Sequence, residues 1–138
     1  MRCSVYHTMH KSLEKTACIL AEKSYLNNLK VVMLLNDVER QEALNRLLWT
    51  YARLQFIPHG SKEDPLPELQ PVYLTHIAEN PNNASVLILL EPSFINIQNN
   101  EKYLIAQKFD RICMIFDLNS TSESTKISEL IENLLVLD

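Results

Sequence analysis

At 138 residues and 46% hydrophobic content, the chain is long enough for one compact domain with a single core and too short for two. Its 13 basic and 17 acidic residues give a formal charge of −4, which argues against a broad positive face wrapped on a phosphate backbone. A local basic pocket is still allowed among Lys30, Arg40, Arg46, Arg53 and Lys126. No apolar run approaches the roughly 18 residues that span a bilayer, and the opening MRCSVYHT carries no long apolar core of a leader, so a cytoplasmic, membrane-free protein is expected.

Short β-type runs alternate with helix-period stretches, the pattern of an α/β layer fold on a largely parallel sheet. Cys3 to His7 reads as a strand, and Lys11 to Asn27 as a helix that turns Leu13, Ala17, Leu20, Ala21 and Ser24 to the sheet before Asn27 and Asn28 stop it. LKVVMLL, Leu29 to Leu35, is apolar almost throughout and too short for an independent helix, so it is expected as a central strand covered on both faces. Asn36 or Asp37 then caps a second helix, with Glu39 placed for a capping-box contact to Asn36 and a stripe of Leu44, Leu47 and Leu48 leading to Trp49. SKEDPLPELQ, residues 61–70, has two prolines and no period and is read as an exposed loop. Pro71 to Ile77 and Ser85 to Glu91 are two further strands, separated by ENPNNA, a gap too short for a crossover helix. An antiparallel pairing of these two, or a place for the first outside the parallel core, are both open. A helix at Asn99 to Lys108, a strand at Arg111 to Leu118 and a last helix from Ser122 to Leu135, with Ile127, Leu130, Ile131 and Leu134 on one face, complete a single domain over 1–138 with about five strands.

Few of the usual catalytic devices can be built from these residues. Gly60 is the one glycine, which excludes both the GxGxxG turn and the Walker A phosphate cradle. GxSxG and HExxH are absent, and His7, His10, His59 and His76 are scattered, so no catalytic residue, metal or cofactor is expected. A triad assembled in space from distant residues, making the chain a small α/β enzyme, is the alternative. Cys3, Cys18 and Cys113 lie far apart in apolar stretches and read as buried, reduced thiols.

The segment LLWTYARLQFIPHG, Leu47 to Gly60, concentrates Trp49, Tyr51 and Phe56 beside Arg53 and a Pro58-His59-Gly60 turn. In the plainer reading Trp49 closes the helix-sheet core, Tyr51 is core, Pro58 ends an extended stretch and His59 is a satisfied turn histidine. In a second, Trp49 and Phe56 form an exposed aromatic patch for a protein partner, with His59 on its polar rim. In a third, Trp49, Tyr51 and Phe56 stack the bases of single-stranded nucleic acid while Arg46 and Arg53 hold phosphates, against which the acidic balance weighs.

LLW, then FIPHG, then QPVYLT, ENPNNA and VLILL resemble, in order and spacing, the chi subunits of bacterial DNA polymerase III. VYH, SLEK and KVVMLL fit the same pattern, so the likeness covers most of the chain; the Trp with its Phe-x-Pro-His partner is the specific part. The resemblance implies a Rossmann-like α/β domain without catalysis or cofactor. Such a subunit links the clamp loader to single-stranded DNA-binding protein by gripping that protein's acidic C-terminal tail, and it meets DNA only indirectly. It also implies a second surface for a small partner subunit, psi. Trp49, Phe56, Pro58 and His59 match the family motif, and Phe56 is assigned to the partner-subunit surface. Chi proteins typically end in a helix rich in arginine and lysine followed by an aromatic. Here TKISELIENLLVLD has one cation, Lys126, three acids and no aromatic. Contacts to the tail carboxylates therefore fall to Lys126 and Arg111, and the resemblance leaves open whether the tail site is weakened, moved or lost.

Overall fold

Strands that are apolar at every position need cover on both faces, and the topology supplies it. The computed structural model describes residues 2–51, 58–64, 66–100, 103–104 and 109–136. Its six strands are β1 (Arg2–Thr8), β2 (Val31–Leu34), β3 (His59–Gly60), β4 (Val72–Thr75), β5 (Val86–Leu90) and β6 (Arg111–Asp117). They form one sheet in the order β1-β6-β5-β2-β4-β3, and every pairing is parallel. The helices are α1 (Leu13–Leu26), α2 (Val38–Tyr51), α3 (Phe94–Asn99) and α4 (Thr121–Val136), with short 3₁₀ turns at His10–Ser12 and Pro67–Leu69.

Alternation along the strands divides the core in two. Val31, Met33, Val72, Leu74, Val86, Ile88, Cys113 and Ile115 point to the face covered by α1 and α2, against Leu13, Ala17, Cys18, Ala21, Leu44 and Leu48. Val32, Tyr73, Leu87, Leu89, Ile112, Met114 and Phe116 point to the other face, against Ile97, Leu104, Phe109, Ile127 and Ile131. The chain advances across the sheet with its first two helices on one face and returns through β5 and β6 with cover on the other.

Both expected strands flanking ENPNNA exist, but neither open alternative describes them. β2 lies between β4 and β5, and all three run parallel. The loop from 76 to 85 makes this crossover without a helix by packing its own polar groups. Tyr73 Oη donates to Glu79 Oε1 at 2.7 Å, Thr75 Oγ1 lies 2.8 Å from the same oxygen, and Tyr103 Oη donates to the Glu79 carbonyl. Asn82, buried, donates from Nδ2 to the carbonyls of Val31 and Gln70 and so ties the loop to the amino ends of β2 and β4.

The structure refines three expectations. Of the two residues expected to cap α2, Asp37 does so, its Oδ1 accepting from the Arg40 N–H at 2.8 Å; Asn36 donates across the sheet to the Glu91 carbonyl, and the expected capping box of Asn36 with Glu39 is not formed. A helix not expected from the sequence, α3 at Phe94–Asn99, precedes the one expected at Asn99–Lys108: Pro92 and Ser93 end the preceding turn and the Ile97 N–H bonds to the Ser93 carbonyl. Tyr103 and Leu104 are helical, and the rest of 101–108 lies outside the described residues. The sixth strand, β3, comes from two residues read as a turn, His59 and Gly60, which pair with Val72 and Tyr73. A Cβ at Gly60 would stand 2.8 Å from Gln70 Cδ, so glycine suits this edge.

The thiols are free, with Cys18 and Cys113 buried and Cys3 half-buried on the opposite face from Cys113. Burial, reinforced by nearby glutamates, pushes Cys3 up to about 11 and Cys18 up to about 12 from an ordinary 9.0. Burial and the bond to Glu79 raise the Tyr73 phenol as well.

Ile88→Ala, at the fully buried centre of β5, is expected to cost about 2–5 kcal/mol, read as a lower urea midpoint at unchanged slope. Because the folded thiols hold their protons to higher pH than unfolded ones, stability is expected to be flat below pH 9.0 and to fall as pH rises toward 12. Urea titrations at about pH 8 and about pH 10.5 check this, and Cys18→Ala should flatten the fall.

Candidate functional site

Leu44 and Leu48 occupy the buried stripe of α2, and one residue further the helix has turned by about 100°, which carries Trp49 off that stripe. Trp49 is 62% exposed, so it does not close the core. Its ring meets the His59 ring edge-on, centroids 5.4 Å apart at 72°. His59 is 8% exposed within β3 and is therefore buried rather than on a polar rim. An apolar platform at the last helical turn is thus braced by an edge strand, with half-buried Pro58 next to it. Phe56 and Arg53 lie outside the described residues, as does the side chain of Tyr51 at the end of α2; Arg46 is exposed on α2.

Lys126 and Arg111 are far apart in the architecture. Lys126 is exposed in the second turn of α4, which begins just beyond the carboxyl end of β6, with Glu123 and Glu129 as its helical neighbours. Arg111 opens β6 at the amino end of the sheet, in register with Arg2 of β1. That second arginine was not singled out by the sequence reading. The adjacency arises from parallel pairing of the first and last strands, for which no local pattern exists.

A phosphate ligand of an open α/β sheet would be sought at the carboxyl ends of β2 and β5, where the chain's crossovers diverge to opposite faces. Charged groups of the protein pair with one another at that crevice. Arg40 donates to Glu91 Oε1 at 2.8 Å and to Glu14 Oε1 at 3.0 Å, and Asn36 bonds the Glu91 carbonyl. Glu91 takes a left-handed φ of 47°, a strained conformation for a glutamate, held by these contacts. Beside it, an open hollow of about 290 Å³ is bounded mainly by apolar side chains, with His76, itself 2.9 Å from Gln41 Oε1, at its rim.

A close serine-histidine pair among the described residues is a strap between elements. His7 Nε2 lies 2.8 Å from Ser124 Oγ, joining β1 to α4, and the His7 ring stacks on Phe116. Ser124 is 2% exposed, too enclosed for attack on a substrate carbonyl. The neighbouring carboxylate, Asp117, contacts His10 at 3.3 Å instead. Among the described residues no group of three or more His, Cys, Asp or Glu is placed to hold a metal ion, and no helix is long and apolar enough to cross a membrane.

Comparison with known proteins places the chain among relatives of one kind. The family model described as DNA polymerase III chi subunit, HolC, matches residues 1–127, ending inside α4. A protein of Rickettsia prowazekii (strain Madrid E) named "Probable DNA polymerase III subunit chi" is 49% identical over 116 residues, covering 83% of this chain and 69% of its own length.

Arg40→Ala leaves Glu14 and Glu91 facing each other at the crevice. It is expected to cost about 1 kcal/mol, since all three groups are partly exposed, and the cost should shrink in high salt. Urea unfolding at low and high ionic strength is the check.

Proposed function

This chain belongs to the DNA polymerase III chi subunit family, and from that premise we propose that it is a non-catalytic, cytoplasmic adaptor of the holoenzyme. One surface joins the clamp loader, directly or through a psi-like subunit; another grips the acidic C-terminal tail of single-stranded DNA-binding protein, so that contact with DNA is indirect. The observation that carries this reading is Trp49, an exposed aromatic ring held edge-on by a buried histidine at the sheet's edge.

Large rigid side chains of this kind supply contact area at little entropic cost and dominate protein interfaces. Trp49, Pro58 and His59, with Phe56 following the same motif, form the clamp-loader side. Arg111 and Lys126 are the tail-binding candidates, as cations able to make charge-assisted hydrogen bonds to carboxylates. The self-neutralised crevice around Arg40 supports a role without nucleotide chemistry.

The test is a bridging measurement. Single-stranded DNA-binding protein from the same organism is immobilised, this protein is added, and then the organism's clamp-loader subunits. Wild type is expected to recruit the clamp loader, and Trp49→Ala to retain the immobilised partner while weakening clamp-loader recruitment about tenfold or more. Absence of recruitment by wild type, with both partners active, would sink the adaptor reading.

A further inference from the structure

The two edges of the sheet are built differently. β3, the edge beside Trp49, has two residues and follows Pro58, whereas β1, the opposite edge, runs for seven residues without proline, glycine or lysine and pairs with β6 residue for residue, without a bulge. Sheets that stay alone blunt a free edge with a short strand, a proline, a lysine or a bulge, and β1 carries none of these. Its backbone is open on one side. The Arg2 N–H bonds to the Asp110 carbonyl and the Leu118 N–H to the Thr8 carbonyl, so the even-numbered positions of β1 turn their backbone groups toward β6. Cys3, Val5 and His7 therefore each turn an N–H and a C=O outward, and among the described residues no backbone bond reaches these groups.

Side chains along this edge are also uncovered. No residue of β1 is buried, Val5 at its centre is 36% exposed, and exposed Met9 and Leu118 stand just beyond its carboxyl end. Charge differs between the two ends of the strand. Arg2 and its register partner Arg111 share the amino end, a like-charge pair that costs stability unless an anion offsets it, and Asp117 is the register partner of Thr8 at the carboxyl end. By strand alternation all four lie on the α1 side of the sheet, the side to which Cys113 and Ile115 point.

We propose that β1 pairs antiparallel with β1 of a second copy of this chain, about a twofold axis at Val5, joining the two sheets into one. With Val5 opposite Val5 of the second copy, Cys3 stands opposite His7 of that copy, and every outward N–H and C=O of both strands gains a partner. The same axis sets Arg2 opposite Thr8 of the second copy, with Asp117 of that copy one strand further, about 10 Å between Cα atoms and within reach of an extended arginine. Reversal thus makes the charge of this edge complementary to itself, whereas a parallel arrangement sets Arg2 beside Arg2. A contact of this symmetry closes on itself and gives a dimer rather than a fibre. It leaves the β3 edge and Trp49 at the far ends of the joined sheet, so it is independent of the adaptor reading.

The test is sedimentation velocity of the full chain over a range of concentrations, joined with amide hydrogen exchange. Wild type is expected to pass from monomer to dimer as concentration rises, with the Cys3, Val5 and His7 amides gaining protection in step. Val5→Pro removes an outward N–H and spares the ladder to β6; it is expected to weaken dimerisation about tenfold or more while keeping a native circular dichroism spectrum. Arg2→Glu is expected to weaken it about threefold or more, and Arg2→Glu combined with Asp117→Arg to restore it. A chain that stays monomeric with these amides unprotected at every concentration overturns the proposal. So does a dimer indifferent to Val5→Pro, and a charge swap that fails to restore pairing overturns the antiparallel register. Protection of the same amides only after single-stranded DNA-binding protein or clamp-loader subunits are added overturns the second copy as occupant in favour of that partner.

Discussion

Burial of β2 and β5 from both sides is the constraint on which the rest of this structure depends. Val31, Val32, Met33, Leu87 and Ile88 are fully buried, so neither face of the sheet's centre tolerates water. Two layers of helix are then required, and the chain has to cross the sheet in both directions to deliver them. Everything distinctive lies where that demand relaxes: at the short edge strand β3, at the two ends of the strands, and on the outer faces of α2 and α4.

Relaxation at the edge explains Trp49. Leu48 is drawn inward, but one residue further, beside a two-residue edge strand, the indole is 62% exposed. The ring therefore stays in solvent, steadied by His59. An edge with so little free backbone also gives few groups on which another strand could add. What stands out at this edge is a side chain, the exposed indole of Trp49.

Relaxation at the strand ends separates charge. At the carboxyl ends, Glu14 and Glu91 consume Arg40, and Asp117 contacts His10. At the amino ends Arg2, Lys23 and Arg111 gather with fewer acids around them. A chain of net charge −4 can thus present a local positive patch, because net charge constrains the sum and not the arrangement.

The sequence by itself determined the fold class, most of the elements and the family. Period-2 and period-3.6 patterns are local, and so are the runs LLW and FIPHG: each is written within a few neighbouring residues and survives without knowledge of the rest. It also excluded glycine-rich nucleotide cradles, since a single glycine is a fact of composition. Only the tertiary structure decided that β2 separates β4 from β5, that Asn36 serves Glu91 while Asp37 caps α2, that His59 is buried beneath an exposed Trp49, and that Arg2 meets Arg111. Each of these joins groups far apart in the chain, or turns on which of two adjacent residues meets a distant partner. Such contacts are set by how layers pack, and packing has no signature in a window of a dozen residues.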